Sequence, residues 1–248
     1  QSLSGCFFMT TDREYMQRAL DLAERGRGTT SPNPMVGCVI VRNGVVLGEG
    51  WHARAGEAHA EVNAVRACAN GDIQGATVYV TLEPCAHQGR TGPCADFLAE
   101  RHPARVVAAM VDPNPLVAGR GLARLEAAGI AVEWGLMEAE ARRLNEVFIK
   151  YVTTGLPFVV AKCAMTLDGK IATRTGHSRW VSGAAARQKT HELRDCMDAI
   201  MVGSRTLMLD DPSLTTRLEK KAGKDPIRIV LDSGEYLDGG RKVFHQES

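Results

Sequence analysis

Three side chains suited to a borderline-soft metal fall at His59, Cys85 and Cys94, and a carboxylic acid, Glu61, stands two residues after the histidine. One imidazole and two thiolates make a zinc ligand set, and three protein ligands leave one tetrahedral position for solvent or substrate, as in catalytic sites. Two thiolates cancel the charge of the ion and weaken it as a Lewis acid, so a neighbouring base must take a proton from the attacking water. Glu61 is placed to carry that proton without binding metal. A structural zinc site would instead need a fourth ligand, for which His52, His87 and His102 are available.

The order His-x-Glu, Pro-Cys, Cys is the pattern of zinc deaminases, in which activated water attacks an amidine-like ring carbon. It departs from the usual Pro-Cys-x-x-Cys in that eight residues, Ala86 to Pro93, separate the two cysteines. Arg90 lies in that interval between Gly89 and Gly92, where a guanidinium could meet an anionic substrate. Asn33, between two prolines, reads on its own as a turn residue.

The elements that must position these groups alternate. The sequence predicts a helix ending at Gly26, then strands over 36–42 and 45–51 joined by an Asn43-Gly44 type I′ turn. A helix over 59–70 opens on His59, and a strand over 77–82 delivers Pro84-Cys85 at its end. Pro93 suits the first turn of the next helix. Strands over 105–111 and 130–134 and helices over 121–128 and 138–150 complete an α/β fold, a three-layer α/β/α domain over 9–152. After Thr153-Thr-Gly-Leu-Pro157 a second α/β domain over 157–248 begins, with strands at 158–162, 199–202 and 227–231 and a helix over 184–194.

A net charge of +1 and an aromatic content of 5% argue against a nucleic-acid groove, and no apolar run is long enough for a membrane span. No nucleic-acid partner and no membrane partner are therefore expected; a homo-oligomer stays open. The stretch before Met9 has no basic n-region and is a poor signal peptide, Met9 reads as a natural start, and a cytoplasmic location follows. Cys38, Cys68, Cys163 and Cys196 read as small buried hydrophobes.

His59-Ala-Glu-Val-Asn-Ala64, Thr81-Leu-Glu-Pro-Cys-Ala-His-Gln-Gly-Arg-Thr-Gly-Pro-Cys94 and Asp112-Pro-Asn-Pro115 closely resemble the bifunctional deaminase–reductase family of riboflavin biosynthesis, whose own form includes the eight-residue interval. The resemblance runs from about Tyr15 to Asp232. It implies a cytidine-deaminase-like domain with Zn2+ on His59, Cys85 and Cys94, Glu61 as proton shuttle and Asn33 on the substrate. That substrate would be 2,5-diamino-6-ribosylamino-4(3H)-pyrimidinone 5′-phosphate, a phosphoribosyl pyrimidine. The second half resembles the family's dihydrofolate-reductase-like domain through Ala164-Met-Thr-Leu-Asp-Gly-Lys170, Ser178-Arg-Trp180, Arg194 and the run Thr206 to Arg217. By that likeness Ala164, Trp180, Thr206 and Asp210 face NADPH, and Ser178, Arg194, Leu214 and Arg217 face the sugar phosphate. The glycine-rich cofactor loop of that family does not appear after 227–231, so the expectation is a truncated reductase domain that reduces poorly or not at all. Two competing readings are a deaminase acting on another nucleobase or nucleotide and a non-catalytic zinc-stabilised binding domain.

Overall fold

The structure is a computed structural model that describes residues 10–87, 92–115, 117–219, 223–234 and 239–245. It divides into two compact units with the boundary after Phe158.

The first unit is built on a five-stranded sheet. Strands β1 (Gly37–Arg42), β2 (Val45–Trp51), β3 (Thr77–Val80), β4 (Arg105–Ala108) and β5 (Ala131–Trp134) lie in the order β2-β1-β3-β4-β5. β1 runs antiparallel to β2 and to β3, while β3, β4 and β5 are parallel. The turn between β1 and β2 is made by Asn43 and Gly44, both with positive φ (54° and 77°), as a type I′ turn requires. Alternation along the strands sorts the core into two layers. Cys38, Ile40, Val78, Val80, Val106 and Ala108 face helices α2 (Ala60–Ala67), α3 (Cys94–Ala99) and α4 (Arg120–Ala127). Val39, Val41, Tyr79, Val107 and Ala109 face α1 (Thr10–Glu24) and α5 (Glu138–Leu144). The three-layer α/β/α arrangement follows from this two-sided burial.

α2 sits very close to β2. A Cβ on Gly50 would lie 2.3 Å from the Ala64 backbone nitrogen, so only glycine lets the helix that carries Glu61 approach this strand. The helix expected over 138–150 breaks at Asn145 into α5 and α6 (Glu146–Thr154). The Asn145 side chain is buried and grips the backbone of Met35, accepting from its N–H at 2.8 Å and donating to its carbonyl at 2.9 Å. That grip fixes the chain just after Asn33.

In the second unit α7 (Ala184–Cys196), β6 (Ala199–Gly203), α8 (Ser204–Asp210) and β7 (Ile227–Leu231) are formed, with β6 and β7 paired in parallel. Its buried cluster is Leu207, Leu214 and Val243, with Ile200, Val202 and Val230 against it. The strand expected over 158–162 does not form: the segment has no ladder partner among the described residues and leaves Val159 76% exposed. Cys38 and Cys68 are buried as expected, but Cys163 is exposed and Cys196 only half-buried, because the elements around them are less covered. Among the described residues no helix is long and apolar enough to cross a membrane.

Candidate functional site

The metal cluster forms where two helix starts meet a strand end. His59 is the N-cap of α2, and its carbonyl accepts the first helical hydrogen bond, from Asn63 at 3.1 Å. Cys85 follows β3, and Cys94 opens α3 directly after Pro93. The two cysteine segments are tied together: the Cys94 N–H donates to Cys85 Sγ at 3.3 Å and the Ala95 N–H to the Cys85 carbonyl at 3.1 Å. Helix N-termini present unpaired N–H groups that favour a thiolate.

Nδ1 of His59 lies 3.2 Å from Cys94 Sγ and 3.6 Å from Cys85 Sγ, and the three ligand atoms all lie within 4.8 Å of one another. Tetrahedral zinc, with Zn–S about 2.3 Å and Zn–N about 2.0 Å, sets N···S edges of roughly 3.5 Å. The donors therefore stand at the separations a single ion needs, and their soft-to-borderline chemistry fits zinc. Among the described residues this is the cluster of three metal-ligating groups that could hold an ion. The Cys94 thiol holds Cys85 on the thiolate side by a hydrogen bond, aided by His59, and the partnership pushes Cys94 the other way. The hydrogen bond with Cys85 raises His59.

Glu61 lies in the first turn of α2, only 3% exposed, and burial pushes its carboxyl up to about 7. It is thus a buried carboxyl two residues from a cluster donor, and a carboxyl shifted in this way can exchange a proton near neutrality.

Asn33 joins the site through a histidine that sequence reasoning treated as a loop residue. His52 is buried, and its ring packs edge-on to His59 with centroids 5.5 Å apart. Its Nδ1 lies 3.2 Å from the Ala58 carbonyl, an acceptor only, so Nδ1 carries the proton. Nε2 must then accept from Asn33 Nδ2, 3.1 Å away, which settles which end of the Asn33 amide faces His52. Burial lowers His52, in keeping with the neutral ring. None of the three histidines considered as a fourth ligand joins the cluster: His52 is engaged as described, and His87 and His102 are exposed. Arg90 lies outside the described residues.

Two further acidic groups were not singled out from the sequence. Glu83 is buried two residues before Cys85, and Asp112 is half-buried with burial raising its carboxyl. A carboxyl beside a metal ligand in a strand-end motif was the available signal for Glu83; its partners are distant in sequence and gave none.

In the second unit Arg194 and Arg217 converge. Arg194 Nη1 donates to the Thr215 carbonyl at 3.0 Å, and Arg217 bonds the Thr215 hydroxyl through its side chain and His191 Nδ1 through its backbone N–H. Burial lowers Arg194, and the field of Arg217 adds to it. Two guanidiniums held this close favour an anion between them. The Leu214 side chain is buried in the local core with φ 55°, so its backbone is what it offers a ligand. Trp180 is 73% exposed with the Arg187 guanidinium 4.3 Å over its ring. Ser178 and Ala164 are half-buried, and Thr206 and Asp210, both on α8, are exposed.

Sheet order, helix layers and the His-Cys-Cys cluster beside a buried glutamate define a zinc deaminase-type domain, and residues 9–110 match the cytidine and deoxycytidylate deaminase zinc-binding region. Residues 157–248 match the RibD C-terminal domain. The chain is 52% identical over 246 residues to the riboflavin biosynthesis protein RibD of Escherichia coli, covering 95% of this chain and 67% of that protein. It is 50% identical over 230 residues to RibD of Actinobacillus pleuropneumoniae, covering 93% of this chain and 60% of the relative. Among solved structures, Acinetobacter baumannii RibD superposes with a TM-score of 0.89 at 44% identity, over 95% of this chain and 67% of that one. A diaminohydroxyphosphoribosylaminopyrimidine deaminase/5-amino-6-(5-phosphoribosylamino)uracil reductase from Thermotoga maritima gives 0.89 at 42% identity with the same coverages. The chain belongs to the RibD family of riboflavin biosynthesis proteins. It spans 60% to 67% of the length of these relatives.

Proposed function

We propose that the first unit removes the 2-amino group of 2,5-diamino-6-ribosylamino-4(3H)-pyrimidinone 5′-phosphate as ammonia, in a hydrolysis that uses zinc held by His59, Cys85 and Cys94. The observation that carries this reading is the buried Glu61 carboxyl at a cluster whose three donors lie within 4.8 Å of one another. Zinc, when bound, supplies the Lewis acidity that makes water nucleophilic at neutral pH. Glu61 takes the proton of that water on a carboxyl oxygen, gives it to the ring nitrogen beside C2, and then serves the departing amine. Burial of Glu61 excludes bulk water as a competing proton source. Asn33, with one end of its amide held by His52, orients the pyrimidine edge, and Arg90 meets the phosphate.

The second unit contributes one wall of the pocket in which the ribosyl phosphate of the deaminated product would meet NADPH for reduction to the ribityl compound. Arg194 and Arg217 hold the phosphate there, with Ser178 and the backbone of Leu214 beside the sugar. Ala164, Trp180, Thr206 and Asp210 meet NADPH. Support for this half is its match to the RibD C-terminal domain and the paired guanidiniums.

The test is incubation of the purified chain with the diaminopyrimidine phosphate, with ammonia assayed and the product mass recorded. A product in which one amino group has become a carbonyl oxygen is the expected result; an unchanged pyrimidine in zinc-replete protein overturns the proposal. A panel of free nucleobases and nucleotides in the same assay separates the alternative deaminase reading.

A further inference from the structure

We infer that Glu83 is a positioning residue: its carboxylate clamps the segment after β4 onto the strand end that carries Cys85, and so sets Asp112 beside the metal ligands. The inference rests on the deaminase reading of this site and adds to it a device that acts through the backbone.

Glu83 is 5% exposed, and its two oxygens receive three backbone donors. Oε2 accepts from Asp112 N–H at 3.0 Å and Gly119 N–H at 2.9 Å, and Oε1 accepts from Gly121 N–H at 2.7 Å. Three donors with short contacts suit an acceptor-only group, which a carboxylate is and an amide is not. The Glu83 N–H itself donates to Met110 O at 2.9 Å, so backbone and side chain grip the same crossing. Contact is tightest at Gly121, where a Cβ would fall 1.8 Å from the Pro84 carbonyl oxygen. The start of α4 is therefore seated directly on Pro84, next to Cys85.

Cys85 does not depend on this clamp, because Cys94 and Ala95 N–H groups hold it. The segment after β4 does depend on it. Within it Asn114 N–H donates to Asp112 Oδ1 at 2.8 Å, and Val117 and Ala118 N–H donate to Asn114 O. The Glu83 carboxylate joins both ends of that segment to the strand end before Cys85. The Asp112 backbone is held in this way on a residue only two positions before Cys85. A polar substrate bound at the metal would meet Asp112 on this side, so loosening Glu83 weakens binding before it harms chemistry.

Glu83→Gln keeps the shape but turns an NH2 group toward at least one of the three donors. In hydrogen-exchange mass spectrometry, peptides covering 112–121 should exchange about 10-fold faster in this variant, with β1 and β3 peptides unchanged. Zinc stoichiometry should be unchanged, and KM for the diaminopyrimidine phosphate should rise about 10-fold with kcat altered by less than about 3-fold. Asp112→Ala should give a similar KM, and the double variant should add little to either single change. Should Glu83→Gln fail to fold, Glu83→Asp, with the charge kept and the reach shortened, takes the same tests. Unchanged exchange at 112–121, uniform loosening of the sheet, or strictly additive effects of the two changes would each overturn the inference. Wild-type protein without deaminase activity would defeat the functional reading alone, since the exchange data do not depend on turnover.

Discussion

Replacing Asp12 with alanine should destabilise the first unit far more than any other single break in its charged network. Asp12 sits at the start of α1 with its side chain 6% exposed, and it accepts from the Tyr79 hydroxyl of β3 and from both terminal nitrogens of Arg105 of β4, at 2.9 and 3.2 Å. Arg105 also pairs with Glu133 of β5 at 2.7 Å. Breaking a buried pair costs about 3–5 kcal/mol. Arg105, 23% exposed, keeps Glu133 and gains some solvent, so the low end of that range, about 3 kcal/mol, is expected. For a protein of this size that corresponds to a fall of about 6–12 °C in Tm. Glu133→Ala removes a partner that is 24% exposed and should cost about 1 kcal/mol or less. The assay is scanning calorimetry at fixed zinc saturation, since bound metal shifts Tm by itself. A Tm loss for Asp12→Ala no larger than that for Glu133→Ala would refute the assignment of Asp12 as the buried end of the network.

Cys94→Ser should purify without stoichiometric zinc and with a loosened first unit, read by metal analysis and thermal scanning; full zinc occupancy would contradict its role as a ligand. Asn145→Asp sets a second acceptor against the Met35 carbonyl and should cost about 1–3 kcal/mol, with a raised KM as the Asn33 segment shifts. Thermal scans and kinetics together read both effects. Arg194→Ala should weaken binding of ribose 5-phosphate about 10- to 100-fold by calorimetry, since each hydrogen bond to a charged group is worth about 1.5–3 kcal/mol. An unchanged affinity would remove the guanidinium pair from the phosphate site.

The metal site was legible in the sequence because its signal is local chemistry. His59 and Glu61 share one helix start, and Cys85 and Cys94 bracket a short interval, so residue type and spacing alone bring out the cluster. The strands around it were legible for a similar reason: the apolar run over 36–42, the Asn43-Gly44 turn and the returning strand over 45–51 specify a hairpin without help from elsewhere. What could not be read depends on pairs distant in the chain. Asn145 breaks a helix whose periodicity looked continuous, because its amide is used by Met35, 110 residues away. His52 and Glu83 looked like a loop histidine and a motif carboxyl until Asn33 and the N–H groups of Asp112, Gly119 and Gly121 were found facing them. In the second unit β-branched residues at 158–162 suggested a strand, but a strand exists only with a ladder partner. The Leu214 side chain packs in the core with Leu207 and Val243, partners that its place in the sequence does not indicate.

The central claim is that Glu61 moves protons at a zinc ion it does not bind. The direct measurement is zinc content and ammonia release, side by side, for the wild-type chain and Glu61→Gln with the diaminopyrimidine phosphate. Both proteins should carry one zinc per chain with the same fold, and the variant should lose about 10²- to 10⁴-fold in kcat, the usual contribution of a positioned acid–base group. A variant that turns over at a near-normal rate, or that loses its zinc, would contradict it.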